Sequence, residues 1–107
     1  MADEEQHVAM QLILVAGDVK KQVFKGIELA KKGLIQDART KLDNAGKRLG
    51  EGHQFQSHYI SDHVDSDEGP SLLMVHAQDH LSMAMTTIEM GRELVTVYER
   101  LNQIEQH

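Results

Sequence analysis

Apolar residues recur every three or four positions through most of this chain, and two interruptions split the recurrence into three stretches of similar length. The first stretch puts Val8, Leu12, Val15, Ala16, Val19, Val23, Ile27 and Ala30 on one side, the spacing of an amphipathic helix. It stops at Lys31-Lys32-Gly33, where cations in a last turn followed by glycine mark a helix C-terminus. The second stretch carries Ile35, Ala38, Leu42, Ala45, Leu49 and Ile60. Gly46, Gly50 and Gly52 weaken it, each by up to about 1 kcal/mol relative to alanine. His53 and Gln56 fall on its apolar stripe, which is unusual for a core face. The polar run from Ser61 to Pro70 then reads as a loop, with Pro70 in the first turn of a third helix. The pattern predicts an all-α fold: one domain over 1–107, an antiparallel three-helix bundle with helices at roughly 4–32, 34–61 and 70–105.

The third stretch has two apolar stripes. One runs through Leu73, Ala77, Leu81, Ala84, Ile88, Gly91, Val95 and Tyr98. The other runs through Leu72, His76, Asp79, Met83, Thr86, Met90, Leu94, Val97, Leu101 and Ile104. A helix at the surface of a bundle needs one buried face. The second stripe therefore calls for a wider core, a fourth helix or self-association. It is close to a heptad seam with Asp79 and Thr86 as polar members, and polar seam residues tend to select register and oligomer number.

Composition narrows the function classes. The chain of 107 residues has no Cys, which removes disulfides, thiolate metal sites and a cysteine nucleophile. A formal net charge of −6 argues against nucleic acid and anionic membrane as partners, and for a partner with a basic face. The acidic start and the short apolar runs predict neither a secretory signal nor membrane insertion, and hence a cytoplasmic protein.

Met74 to Met83 breaks the apolar pattern with His76, Asp79 and His80, which share one helical face. Three readings compete for them. The histidines can be partly exposed surface groups, one of them paired with Asp79. They can be metal ligands, since His76 and His80 stand at i, i+4, but Ala77 occupies the position where a zinc protease needs Glu. Or one histidine can be a nucleophile, because imidazole is substantially neutral near pH 7. A carboxylate does not grip a phosphate, so Asp79 in a nucleophilic site would instead face the seam. Carboxylates meeting there must share protons or bind a hard cation.

With these residues in place, the sequence resembles the IIA component of the lactose/cellobiose (N,N'-diacetylchitobiose) family of the bacterial sugar phosphotransferase system. The resemblance rests on the string from Val75 to Met85, on the Ala16-Gly17 pair, on Ala30 to Ala45, on Gly52 to Ser57 and on Glu93 to Leu101. It implies a homotrimer of three-helix bundles with the third helices about the threefold axis. It implies phosphorylation of His76 by the phosphocarrier protein HPr and transfer to a cysteine of a IIB component, in uptake of a β-linked disaccharide. It implies that Asp79 from three subunits holds one magnesium ion. Gln78 and His80 lie beside the site by sequence. Counting outward from the 61–70 loop puts His53 and His76 at similar height, within about two turns, with Gly17 in the same layer. Gly17, His53 and Gln56 are therefore expected to line the pocket around His76. The methionines near His76, if exposed, are candidates for a docking surface.

Two rivals stand against this reading. One is a non-catalytic helical interaction module whose His cluster is structural or binds metal. The other is a histidine phosphotransfer domain, which usually follows its histidine with lysine and small residues; Ala77-Gln78-Asp79-His80 follow here.

Overall fold

The computed structural model describes residues 2–106 and contains three helices: α1 (Ala2–Lys31), α2 (Ile35–His63) and α3 (Leu72–Glu105). They run up, down and up as a rod of 62 × 18 × 17 Å. Two short connections allow only this neighbouring, antiparallel arrangement.

Each turn has a local cause. Gly33 adopts φ +83°, the left-handed region, and ends α1 in a Schellman closure. Its N–H donates to the Ala30 carbonyl at 3.0 Å, and the Leu34 N–H donates to the Leu29 carbonyl at 2.9 Å. At the other end Ser71 caps α3, its hydroxyl accepting the Met74 N–H at 3.1 Å. The expectation that Pro70 opens α3 is corrected: Pro70 precedes the cap, and the helix begins at Leu72. The second helix runs to His63 rather than 61, its last turn closed by His63 Nδ1 on the Tyr59 carbonyl at 2.8 Å.

The core follows the predicted stripes. Leu12, Val15, Val19 and Val23 of α1, Ala38, Leu42 and Ala45 of α2, and Ala77, Leu81 and Val95 of α3 are buried; Met74, on neither predicted stripe, is buried with them and so offers no docking surface. Ile60 is a correction. It is exposed, and Tyr59 is buried in its place. The stripe advances through Gly52 and Gln56 to Tyr59, and Ile60 falls about 100° to one side.

Gly52 is not the weakness its helix propensity suggests. It is buried, and an added Cβ would lie 2.7 Å from Leu81 Cδ1 and 2.9 Å from Val15 Cγ1. The three helices meet where α2 lacks a side chain. Gly50, two residues earlier, has nothing within 4 Å. The two positions thus predict opposite signs. Gly50→Ala should stabilise by about 0.5–1 kcal/mol through backbone entropy. Gly52→Ala should destabilise by about 1 kcal/mol net, because overpacking of roughly 1–3 kcal/mol exceeds the propensity gain. Thermal melts check this, with shifts of about 4–8 °C per kcal/mol.

Candidate functional site

Contacts along α3 fix which way each side chain turns. Gln78, Arg92 and Glu99, spaced by fourteen and then seven residues, face α2. They meet Gln56 at 3.5 Å, Asp43 at 3.0 Å and Arg39 at 2.6 Å. The opposite flank, with Leu73, His80 and Tyr98 half-buried, faces α1. His76 belongs to that side. It stands two residues before Gln78, which on a helix turns it about 160° away.

His76 is exposed and His80 is half-buried. Their Nε2 atoms are 3.0 Å apart, with ring centroids 4.5 Å apart and planes at 77°. Between two neutral imidazoles such a bond needs one N–H and one lone pair. If His80 donates, His76 carries its own proton on Nδ1, and its Nε2 lone pair accepts the bond and becomes free for attack when the His80 N–H turns away. That is the form a nucleophilic histidine requires.

Asp79 is exposed on the outward face of α3, within the second apolar stripe. Leu72, Met83, Met90, Leu94, Val97, Leu101 and Ile104 on that stripe are all solvent-exposed, from 41% at Leu94 to 86% at Leu72. No wider core or fourth helix among the described residues covers them. Nor do three or more His, Asp or Glu side chains among the described residues converge on a metal position within one chain.

Three of the expected pocket residues do not join His76 within the chain. Gln56 meets Gln78 on the far flank of α3. His53, one residue from Gly52 and at the height of Leu81, lines a surface depression with Gln54, Phe55 and His58 of its own helix. Gly17 is exposed with open space at its Cβ. The Val15–Gly52–Leu81 contact sets Gly17 near Ala84, about two turns from His76. Of the neighbours read from sequence, the structure brings only His80 against His76.

The sequence reading missed a clamp at the start of α3. Glu5 of α1 accepts the Ser71 N–H at 2.7 Å. The Ser71 hydroxyl, and then its N–H, hold the Glu5 carboxyl below its ordinary value of 4.5. Burial and the Glu5 charge raise the Tyr59 phenol above its usual value. A serine just before an apolar run is the local signal of a cap, whereas its partner 66 residues away leaves no local signal.

Residues 7–99 match the family described as "PTS system, Lactose/Cellobiose specific IIA subunit". The chain belongs to this family. Among relatives, it is 35% identical over 104 residues to the lichenan-specific phosphotransferase enzyme IIA component of Bacillus subtilis, covering 96% of this chain and 94% of the relative. The crystal structure of the cellobiose-specific enzyme IIA from Bacillus anthracis superposes with a TM-score of 0.86 at 29% identity, over 92% of both chains. The IIA(chitobiose) chain solved in complex with HPr from Escherichia coli superposes with a TM-score of 0.79 at 30% identity, over 92% of this chain and 96% of that one. This chain is thus an all-α phosphotransferase-system IIA component, a class of transferase. The matched span contains the whole of the His76–His80 string. No described helix is long and apolar enough to cross a membrane.

The Glu5 clamp carries a pH signature. A carboxylate whose folded pKa is lowered adds stability above its unfolded pKa, and that stability is lost as pH falls through the folded value. Wild type should therefore exceed Glu5→Gln in stability by a constant margin near neutral pH. The margin should shrink below about pH 4.5, as chemical denaturation at several pH values can check.

Proposed function

We propose that this IIA component accepts a phosphoryl group from HPr on Nε2 of His76 and passes it to a cysteine of a IIB component, during uptake of a β-linked disaccharide. The observation that carries the reading is the His76–His80 pair, which leaves an exposed imidazole with a defined proton partner. The Nε2 lone pair attacks phosphorus in line, and the bond to the donor breaks with its electron pair returning to the donor. In the second step a IIB thiolate attacks and His76 is the leaving group. His80 is a positioning residue: its N–H holds the reactive tautomer, then turns to an oxygen of the arriving phosphoryl group. Catalysis in such a carrier is chiefly positioning and charge compensation.

The uncovered stripe of α3 supports assembly as a homotrimer about that helix, with Leu94, Val97 and Leu101 in the seam. Asp79 lies within the stripe and would then meet its copies. Three carboxylates suit a hard cation, so Asp79 from three chains would hold magnesium, which would neutralise charge on the axis. Phosphoryl chemistry itself rests on His76 and His80.

Intact-mass spectrometry after incubation with phosphoenolpyruvate, enzyme I and HPr tests the carrier role. One acid-labile phosphate per chain is expected, absent in His76→Ala; an unmodified, folded wild type would favour the non-catalytic rival. His80→Ala should lower the transfer rate by at least about tenfold. Nitrogen NMR of His76 should show the same variant shifting toward the Nε2–H tautomer, which a purely structural role would not produce. For assembly, Leu94→Glu should convert trimer to monomer in light scattering. Asp79→Asn should stay trimeric and lose any stabilisation by magnesium.

A further inference from the structure

The groove between α1 and α2 gathers positive charge on a chain whose formal net charge is −6. Nine of the eleven Lys and Arg fall in residues 20–49, and five of them line this groove. Its polar section has a volume of about 520 Å³, the size of a small-molecule site. Lys21 and Lys25 of α1 bound it, with Asn44, Lys47 and Arg48 of α2 opposite. Arg48 is committed to Asp18 and Glu51, the two carboxylates of that section. Glu28, the remaining carboxylate of the groove, pairs with Lys31 outside it. Among the described residues Lys21, Lys25, Lys41 and Lys47 make no ion pair. Lys21 and Lys25 stand at i, i+4, where like charges repel on a helix. An anion held between them and Lys47 relieves that repulsion, and a phosphate dianion suits several ammonium groups at once.

A second observation adds a hydroxyl to the anion. Gln22 lines the same section, and its Oε1 is buried without a hydrogen-bond partner. A buried acceptor left unpaired is costly. The oxygens of a phosphate dianion only accept, so the donor must come from another part of the ligand. Beyond Lys21 and Lys25 the groove turns apolar along Phe24 and Leu29, with Lys41 opposite. Phe24 is 53% exposed, which leaves its ring open to the apolar face of a cyclic ligand.

We infer that this groove binds a phosphate monoester of a hydroxylated cyclic compound, the chemistry of a sugar phosphate. The phosphate sits among Lys21, Lys25 and Lys47, a ligand hydroxyl donates to Gln22 Oε1, and the ring lies against Phe24. The site is separate from His76. Glu51 adjoins Gly52 at the height of Leu81, and the groove runs from there toward Gly33, whereas His76 lies the other way along α3. No residue of α3 lines the groove, so assembly about α3 leaves it open.

Amide chemical shifts of the nitrogen-labelled, full-length protein test the inference during titration with glucose 6-phosphate. Saturable shifts concentrated in residues 18–29 and 41–51 are expected, with a Kd of about 1 mM or below. Glucose should give none, and inorganic phosphate should bind at least about tenfold more weakly. Adenosine monophosphate, run in parallel, tells a nucleotide from a simple sugar phosphate; saturation by either ester supports the inference. Gln22→Leu keeps the side-chain size and removes the acceptor. It should weaken glucose 6-phosphate about tenfold and leave inorganic phosphate unchanged. Lys21→Gln with Lys47→Gln should weaken both. Thermal melts check that the variants fold, and phosphorylation at His76 should be the same in all of them, which separates this inference from the carrier reading. No saturation by either ester, or equal affinity for glucose 6-phosphate and inorganic phosphate, would mean an adventitious ion only and overturn the inference. Preference for poly-glutamate would assign the groove to an acidic protein partner and overturn it as well.

Discussion

A missing side chain sets the geometry on which the site depends. Gly52 lets α2 close on both Val15 and Leu81, and that contact fixes the sliding position of all three helices. From it follow the Arg92–Asp43 and Arg39–Glu99 pairs along one flank of α3. These exposed ion pairs are worth about 0–1 kcal/mol each, so they report the register rather than hold it. With that flank committed to α2, the rotation of α3 is set. His80 is half-buried toward α1, His76 stands exposed beside it, and Asp79 faces outward. Cap and core therefore decide the chemistry: Ser71 starts the helix, Leu81 anchors it, and the two histidines lie between.

The third helix has two jobs, and its sequence shows both. Ala77, Leu81, Ala84, Ile88, Gly91 and Val95 pack inward, with small residues where the helices approach closely. The other stripe carries seven large apolar side chains, and nothing among the described residues covers them. Burying one large apolar side chain is worth about 1.5–3 kcal/mol, so seven such groups left in water are a strong drive toward another surface. Carrier sites need exposure on one side and support on the other, and the edge between these two stripes supplies both.

Much of this was legible in the residues. The Lys31-Lys32-Gly33 stop, the Ser61–Pro70 loop and the inward stripes fixed the three helices to within about two residues, because caps and periodicity are local. His76 and His80 were legible as a pair because i, i+4 neighbours meet on any helix. The pocket drawn from Gly17, His53 and Gln56 was not. Counting residues from a loop gives height along a helix but says nothing of rotation about it. Gln56 has the right height and meets Gln78, on the side of α3 turned away from His76. Ile60 failed likewise: the stripe passes through Gly52 to Tyr59, a path visible only once Gly52 is known to be a contact. The Glu5–Ser71 clamp joins distant parts of the chain and has no local signal.

The Nε2 atom of His76, prepared by His80, is the atom proposed to carry the phosphoryl group. Phosphorus–nitrogen NMR of the phosphorylated, nitrogen-labelled chain tests it most directly. Coupling from phosphorus to Nε2 of His76 is expected, together with loss of the hydrogen bond between His76 and His80. Phosphorus bonded to Nδ1 of His76, or to any of the other histidines, would contradict it.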